Sequence, residues 1–166
     1  MWNEQIIMML LEGIKDTLYM TLTSTLIGYV IGLPMGILLT VTDKDGIHPN
    51  AAVYKVLDVI ANLIRSVPFL ILLIVLIPFT RFLIGRSYGP TATIVPLVIA
   101  AAPYIARMVE SSLKEVDAGV IEAARSMGAS NFTIVTKVML VEARTSLIVG
   151  ATISLGTILG LSLIHI

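Results

Sequence analysis

Half of this 166-residue chain lies in four stretches that carry no Asp, Glu, Lys or Arg: residues 17–42, 66–80, 87–106 and 145–166. A soluble domain spreads charge over every surface helix, and about a quarter of its residues are charged. Here the share is 13%. Uncharged runs of this length belong in a bilayer, whose hydrocarbon core takes about 20 helical residues. The pattern predicts an all-α, polytopic membrane helix bundle and argues against a single-core soluble globule. Three runs reach spanning length unaided. The second needs residues 61–80, which brings Arg65 inside its end, where a long stem can snorkel back to the headgroups. The expected spans are therefore 17–42, 61–80, 87–106 and 145–160.

Other classes fall away quickly. Eleven basic against eleven acidic residues leave no surplus positive charge for nucleic acid. The absence of Cys removes disulfides, thiolate metal sites and thiol catalysis, and His48 and His165 form no cluster for a metal or a proton relay. The first run is too long for a signal-peptide core and its preceding flank is acidic, so it reads as a retained helix. Ion-coupled transport usually places a carboxylate or His near mid-membrane, and the spans offer none. A nucleotide-driven motor needs a phosphate loop ending in Gly-Lys, and no Gly-Lys pair occurs. Uphill movement of a solute by this chain would need energy delivered by another polypeptide.

Counting basic residues by side gives an orientation. Lys44, Lys55, Arg65, Arg107, Lys114, Arg125, Lys137 and Arg144 fall on one face, and Lys15, Arg81 and Arg86 on the other. The positive-inside rule then puts the N-terminus outside and the 43–65 and 107–144 connections in the cytoplasm. Gly28, Gly32 and Gly36, and again Gly156 and Gly160, repeat at four-residue spacing. Such stripes let helices approach closely, either as static packing within one subunit or as a moving interface. Six prolines sit in or beside spans, and sequence alone assigns a hinge to none of them. Asp58, Asn62 and Arg65 share one helical face. They read either as a strip at the cytoplasmic mouth of a pathway or against a second subunit, or as the wetted side of a helix in the headgroup zone.

The long polar connection is the most informative segment. Asp117 is a plausible N-cap, 120–127 a two-turn helix, Gly128 its left-handed terminator, and Ser130 the cap of a second helix over 131–140. Ala123 and Ala124 give a low profile suited to a partner's groove. Glu122 and Arg125 are spaced to pair at i,i+3. Phe132, Val135 and Val138 or Met139 offer the second helix a stripe to rest on its own subunit.

Glu122-Ala123-Ala124, then Gly128, Ile134 and Leu140, resembles the EAA loop of permease subunits of bacterial ABC importers. Arg65-Ser66-Val67-Pro68-Phe69, Ile77-Pro78-Phe79-Thr80-Arg81 and the block from Ala101 to Glu110 are similar to the methionine-import branch, and the likeness runs from about residue 9 to Gly160. The resemblance implies a permease domain over residues 1–160, with a cytoplasmic coupling loop at about 117–141. It implies that Glu122, Ala123, Ala124, Arg125, Gly128 and Ala129 engage a separate ATPase subunit. It also implies a second permease copy, an extracytoplasmic binding protein, a bacterial plasma-membrane location, and no catalysis or cofactor in this chain. Asp58, Asn62 and Arg65 are the expected pathway or interface residues.

The sequence departs from that family at Val141 and Thr145-Ser146, where prolines are usual, so a helix is expected to run unbroken from Ser130 towards the last span. Residues 161–166 can be encoded as CTG TCT CTT ATA CAC ATC, which resembles a transposon end used in sequencing libraries. The tail therefore reads as adapter-derived, and the family's last helix as absent. Three alternatives stay open on residues alone: a permease for another amino acid, a membrane enzyme, and a non-transport assembly subunit.

Overall fold

The computed structural model describes residues 4–163; Ile164, His165 and Ile166, half of the expected foreign tail, lie outside them. Among the described residues the regular elements are all helical: α1 (Glu4–Thr42), α2 (Ala51–Ser66), α3 (Phe69–Val75), α4 (Ile77–Ile84), α5 (Pro90–Lys114), α6 (Ala118–Ser126), α7 (Asn131–Thr133), a π-helical stretch Ile134–Met139, α8 (Leu140–Glu142) and α9 (Arg144–Ser162). Helices α1, α5 and α9 are long and apolar enough to cross a membrane.

Helix α5 is the most enclosed of the three, and α1 lies against it through its glycine stripe. A Cβ on Gly32 would come within 2.7 Å of the Ala102 carbonyl oxygen, and one on Gly36 within 2.6 Å of the Ala106 carbonyl. Neither distance is tolerable, so only glycine permits this backbone approach. The first stripe is thus packing within one chain. Gly156 and Gly160 meet nothing within 4 Å among the described residues, so the second pair plays no such part here. Helix α9 buries Gly150, Ser154, Ile158 and Ser162, one residue per turn, and leaves its other faces outward. Ser162, within the expected tail, continues α9 and shares a 3.0 Å hydrogen bond with Thr21 of α1.

The helices differ from the uncharged runs in two places. The first helix begins at Glu4, well before residue 17, and its 39 residues run about 58 Å. The segment 61–80 is not one helix. It breaks at Val67, and α2 and α3 meet at 103°. Pro68 causes the break: its ring drives the preceding residue out of the helical region, and Val67 is extended at φ −86°, ψ 123°. The freed end of α2 is closed by Ser66, whose hydroxyl donates to the Asn62 carbonyl at 2.7 Å. Helix α4 carries the chain on through Ile84, so the link to α5 is Gly85–Gly89. Both terminal glycines of that link have positive φ.

Candidate functional site

The polar connection folds as its turn residues dictate. Asp117 Oδ1 accepts the Gly119 amide at 2.7 Å and starts α6. At the other end the Gly128 amide bonds the Arg125 carbonyl at 2.9 Å and the Ala129 amide bonds the Ala124 carbonyl at 3.1 Å. These paired bonds form a Schellman closure, with Gly128 at φ +82° in the left-handed position. Ser130 Oγ then accepts the Thr133 amide at 3.3 Å and begins the next helix. From there to Arg144 the chain stays helical, except for the single turn residue Ala143. The unbroken helix expected from Val141 and Thr145-Ser146 is therefore interrupted at Ala143, and it contains the π-helical stretch Ile134–Met139. The π-helical stretch resets the phase, so that Ile134 and Met139, five residues apart, both face the core.

Of the expected stripe, Val135, Val138 and Met139 do pack on the chain's own core, and only Phe132 departs from it. Phe132 is 78% exposed, and Ile134, which the pattern did not place in the stripe, is fully buried. Within α6 the site residues divide. Glu122, Ala123, Arg125 and Gly128 are exposed; Ala124 is only 5% exposed and packs into the chain's own core beside Ile134, with Ala129 half-buried against the same cluster. Ala124 therefore anchors the helix to its own subunit rather than offering a face to a partner. The exposed side gains Met127, 82% exposed, which the residue pattern did not single out.

Glu122 and Arg125 do not pair. Arg125 Nη2 instead donates to the Ile47 carbonyl at 3.1 Å, in the turn between α1 and α2. An exposed i,i+3 pair is worth about 0.2–0.5 kcal/mol, and a charge-assisted bond to a turn carbonyl competes well against it. The consequence is structural: α6 is tied to the end of α1, not merely to its own neighbours.

Below that tie lies a charge network that sequence reasoning missed. Glu110 of α5, its side chain 6% exposed, accepts from Arg107 Nη1 at 2.7 Å, Lys114 Nζ at 2.8 Å and the Tyr54 hydroxyl at 3.3 Å. Lys114 reaches Asp43 Oδ2 at 2.7 Å, and Arg107 Nη2 pairs with Asp58 and donates to Asn62 Oδ1 at 3.1 Å. The hydrogen bond from the Lys114 ammonium holds the Asp43 carboxyl below its ordinary value. The signal was available in part, since residues 107, 110 and 114 are spaced i,i+3 and i,i+4. Their partners, on α2 and in the turn after α1, were not foreseeable from spacing.

The network also splits the Asp58, Asn62 and Arg65 strip. The first two clamp Arg107. Arg65 stands apart, exposed at the α2–α3 break, with no hydrogen bond or ion pair among the described residues. It borders a groove of about 260 Å³ between α2, α3, α5 and α9.

The family profile described as "Binding-protein-dependent transport system inner membrane component" matches residues 7–165. The chain is 49% identical over 160 residues to the D-methionine transport system permease protein MetI of Salmonella typhimurium, covering 96% of this chain and 74% of that protein. The protein of the same name from Escherichia coli K12 gives the same identity and coverage. Among solved structures, a crystal form of the MetNI methionine ABC transporter in inward-facing conformations matches with a TM-score of 0.95 at 49% identity. That match covers 97% of this chain and 74% of the solved one.

Proposed function

This chain belongs to the family of binding-protein-dependent transport system inner membrane components, and from that premise we propose that it is the permease subunit of an ATP-driven importer of methionine. The observation that carries the reading is the exposed side of α6: Glu122, Ala123, Arg125, Met127 and Gly128 face outward on a helix that is capped at both ends and anchored from behind by Ala124. A rigid, short, half-apolar helix presented this way suits a groove on a cytoplasmic ATPase. The substrate assignment is supported by the D-methionine permeases at 49% identity and by the likeness to the methionine transporter.

In this reading two permease copies form the path, an ATPase subunit docks on each coupling loop, and an extracytoplasmic binding protein delivers the substrate. The N-terminus lies outside, in the bacterial plasma membrane, and the 43–65 and 107–144 connections are cytoplasmic. Closure of the ATPases displaces α6. Its motion passes through Gly128 and Ser130 into α7–α9, and through Arg125 to the turn after α1. No bond is made or broken in this chain; hydrolysis belongs to the partner.

The test is uptake of radiolabelled methionine into proteoliposomes holding the full-length permease with its ATPase, fed by the binding protein. ATP-dependent uptake competed by methionine and not by histidine or glutamate is expected. Uptake selective for another amino acid would overturn the substrate. Normal uptake by Glu122→Lys and Gly128→Arg together would overturn the coupling role.

A further inference from the structure

Between the coupling loop and α9 the backbone carries one residue more than an α-helix would. The Ile134 amide bonds the Ser130 carbonyl at 2.9 Å and the Ala143 amide bonds the Met139 carbonyl at 2.9 Å, both four residues back. Between them the Leu140 amide reaches five back, to the Val135 carbonyl. A π turn of this kind amounts to a single residue inserted into an α-helix, and such turns are rare and concentrate at functional sites. Thr136 sits inside it and donates its hydroxyl to the Phe132 carbonyl at 2.8 Å, a bond that loosens and bends a helix.

Both ends of the stretch are held. Upstream, Ala124 and Arg125 tie α6 to the core and to the turn after α1. Downstream, the Ser146 hydroxyl donates to Ser112 of α5 at 3.0 Å. The residues between carry two overlapping apolar pairs. In an α-helix, residues five apart point about 140° away from each other, and residues four apart only about 40°. Ile134 and Met139 are therefore buried together only in the π form. In α form Met139 would share a face with Val135, and Ile134 with Val138. Val135 and Val138 are half-buried at the margin of the same core cluster, so either register keeps an apolar pair inward. A packed element with two such arrangements answers a displacement by switching between them rather than by stretching.

We infer that Ile134–Met139 is a two-register joint: when the ATPase displaces α6, the extra residue is expelled toward Ser130, and Val135 replaces Ile134 as the buried partner of Met139. The step turns Ser130 and α7 by about 100° and shifts them by about 1.5 Å against α9, one residue of α-helix. The Ser146–Ser112 bond stays made. The inference rests on the coupling reading of α6 and says how its motion reaches α9.

The experiment uses the full-length permease assembled with its ATPase in nanodiscs. The 166 residues hold no Cys, so Ile134→Cys and Val135→Cys, made singly, report burial through their rates of reaction with a maleimide, the labelled peptide being identified by mass spectrometry. A buried thiol reacts in proportion to the population that exposes it, so trapping with ATP and vanadate should raise the Ile134→Cys rate at least about tenfold and lower the Val135→Cys rate. Any other pattern, including a rise at both positions from local opening, would overturn the inference. Deletion of the exposed Lys137 removes the inserted residue and leaves Ile134 and Met139 four apart, so the core pair survives in an α-helix. This variant should bind the ATPase and hydrolyse ATP like the parent, yet lose ATP-driven uptake at least about tenfold, because one register alone remains populated. Uptake equal to the parent's would overturn the inference; should the deletion fail to assemble, the cysteine rates decide alone. Failure of the coupling reading looks different: the ATPase would not associate with the parent permease, or Glu122→Lys with Gly128→Arg would transport normally.

Discussion

Lys114 at the end of α5 holds Asp43, the first residue after α1, at 2.7 Å, and the same ammonium also reaches Glu110 at 2.8 Å. One cation thus joins the ends of the two helices that pack most intimately. Asp43 carries the pH consequence. Its carboxyl titrates below its ordinary value of 3.8 in the folded chain, chiefly through the Lys114 hydrogen bond. A group whose folded value is depressed stabilises the fold fully above its unfolded value and loses that contribution as pH falls through the folded one. Thermal unfolding of the purified permease should therefore show a stability loss that begins below about pH 5. Asp43→Asn should be less stable at pH 7 and show a shallower acid limb. An identical acid limb in the variant would refute the assignment.

Glu110 should be the least replaceable member of the network. Its side chain is 6% exposed and accepts from three donors. Glu110→Ala leaves Arg107 and Lys114 short of a partner, at a cost of about 3 kcal/mol, the low end for breaking a buried pair. Lys114→Met should cost less, since the Lys114 side chain is 41% exposed and Glu110 keeps Arg107. Midpoints of denaturation for the two variants decide the order.

The glycine stripes should respond in opposite ways. Gly36→Ala places a Cβ 2.6 Å from the Ala106 carbonyl and pushes α1 off α5. A loss of about 1–3 kcal/mol is expected from such overpacking. Gly156→Ala meets no atom within 4 Å. It should hold or raise helix stability, by at most about 1 kcal/mol. Thermal shift assays on both variants measure this directly.

Gly128 should be constrained by backbone rather than space. A Cβ there meets nothing within 4 Å, yet φ is +82°. Gly128→Ala should cost about 1–2 kcal/mol locally, while Gly128→Asn should cost less because Asn tolerates this region. ATPase stimulation and uptake by the reconstituted complex should fall in the order Gly, Asn, Ala. Full activity in Gly128→Val would argue that the Schellman closure is dispensable.

Met127 and Phe132 would extend the proposed coupling surface beyond the motif. Both are more than three-quarters exposed and flank the Gly128 turn. Met127→Asp combined with Phe132→Asp should leave the permease folded, because neither side chain is packed, and should reduce co-purification of the ATPase. Unchanged co-purification would confine docking to α6.

The sequence by itself determined the solvent and the local punctuation. Charge-free runs demand a bilayer because an ionised group there is expensive. Asp117, Gly128 and Ser130 specify their caps and turn through bonds within a few residues, so these features were legible one residue at a time. Tertiary structure decided what depends on distant partners. Glu122 and Arg125 have the spacing to pair, yet Arg125 reaches Ile47, a residue 78 positions away. Ala124 looks identical to Ala123 in the motif, but only packing against Ile134 tells the buried one from the exposed one. Sequence alone assigned Pro68 no hinge, and the 103° bend there, like the groove that α5 and α9 complete beside Arg65, became visible only in the fold. Spacing fixes which residues can meet along one helix; which helices meet is set by the glycine contacts and buried charges that join them.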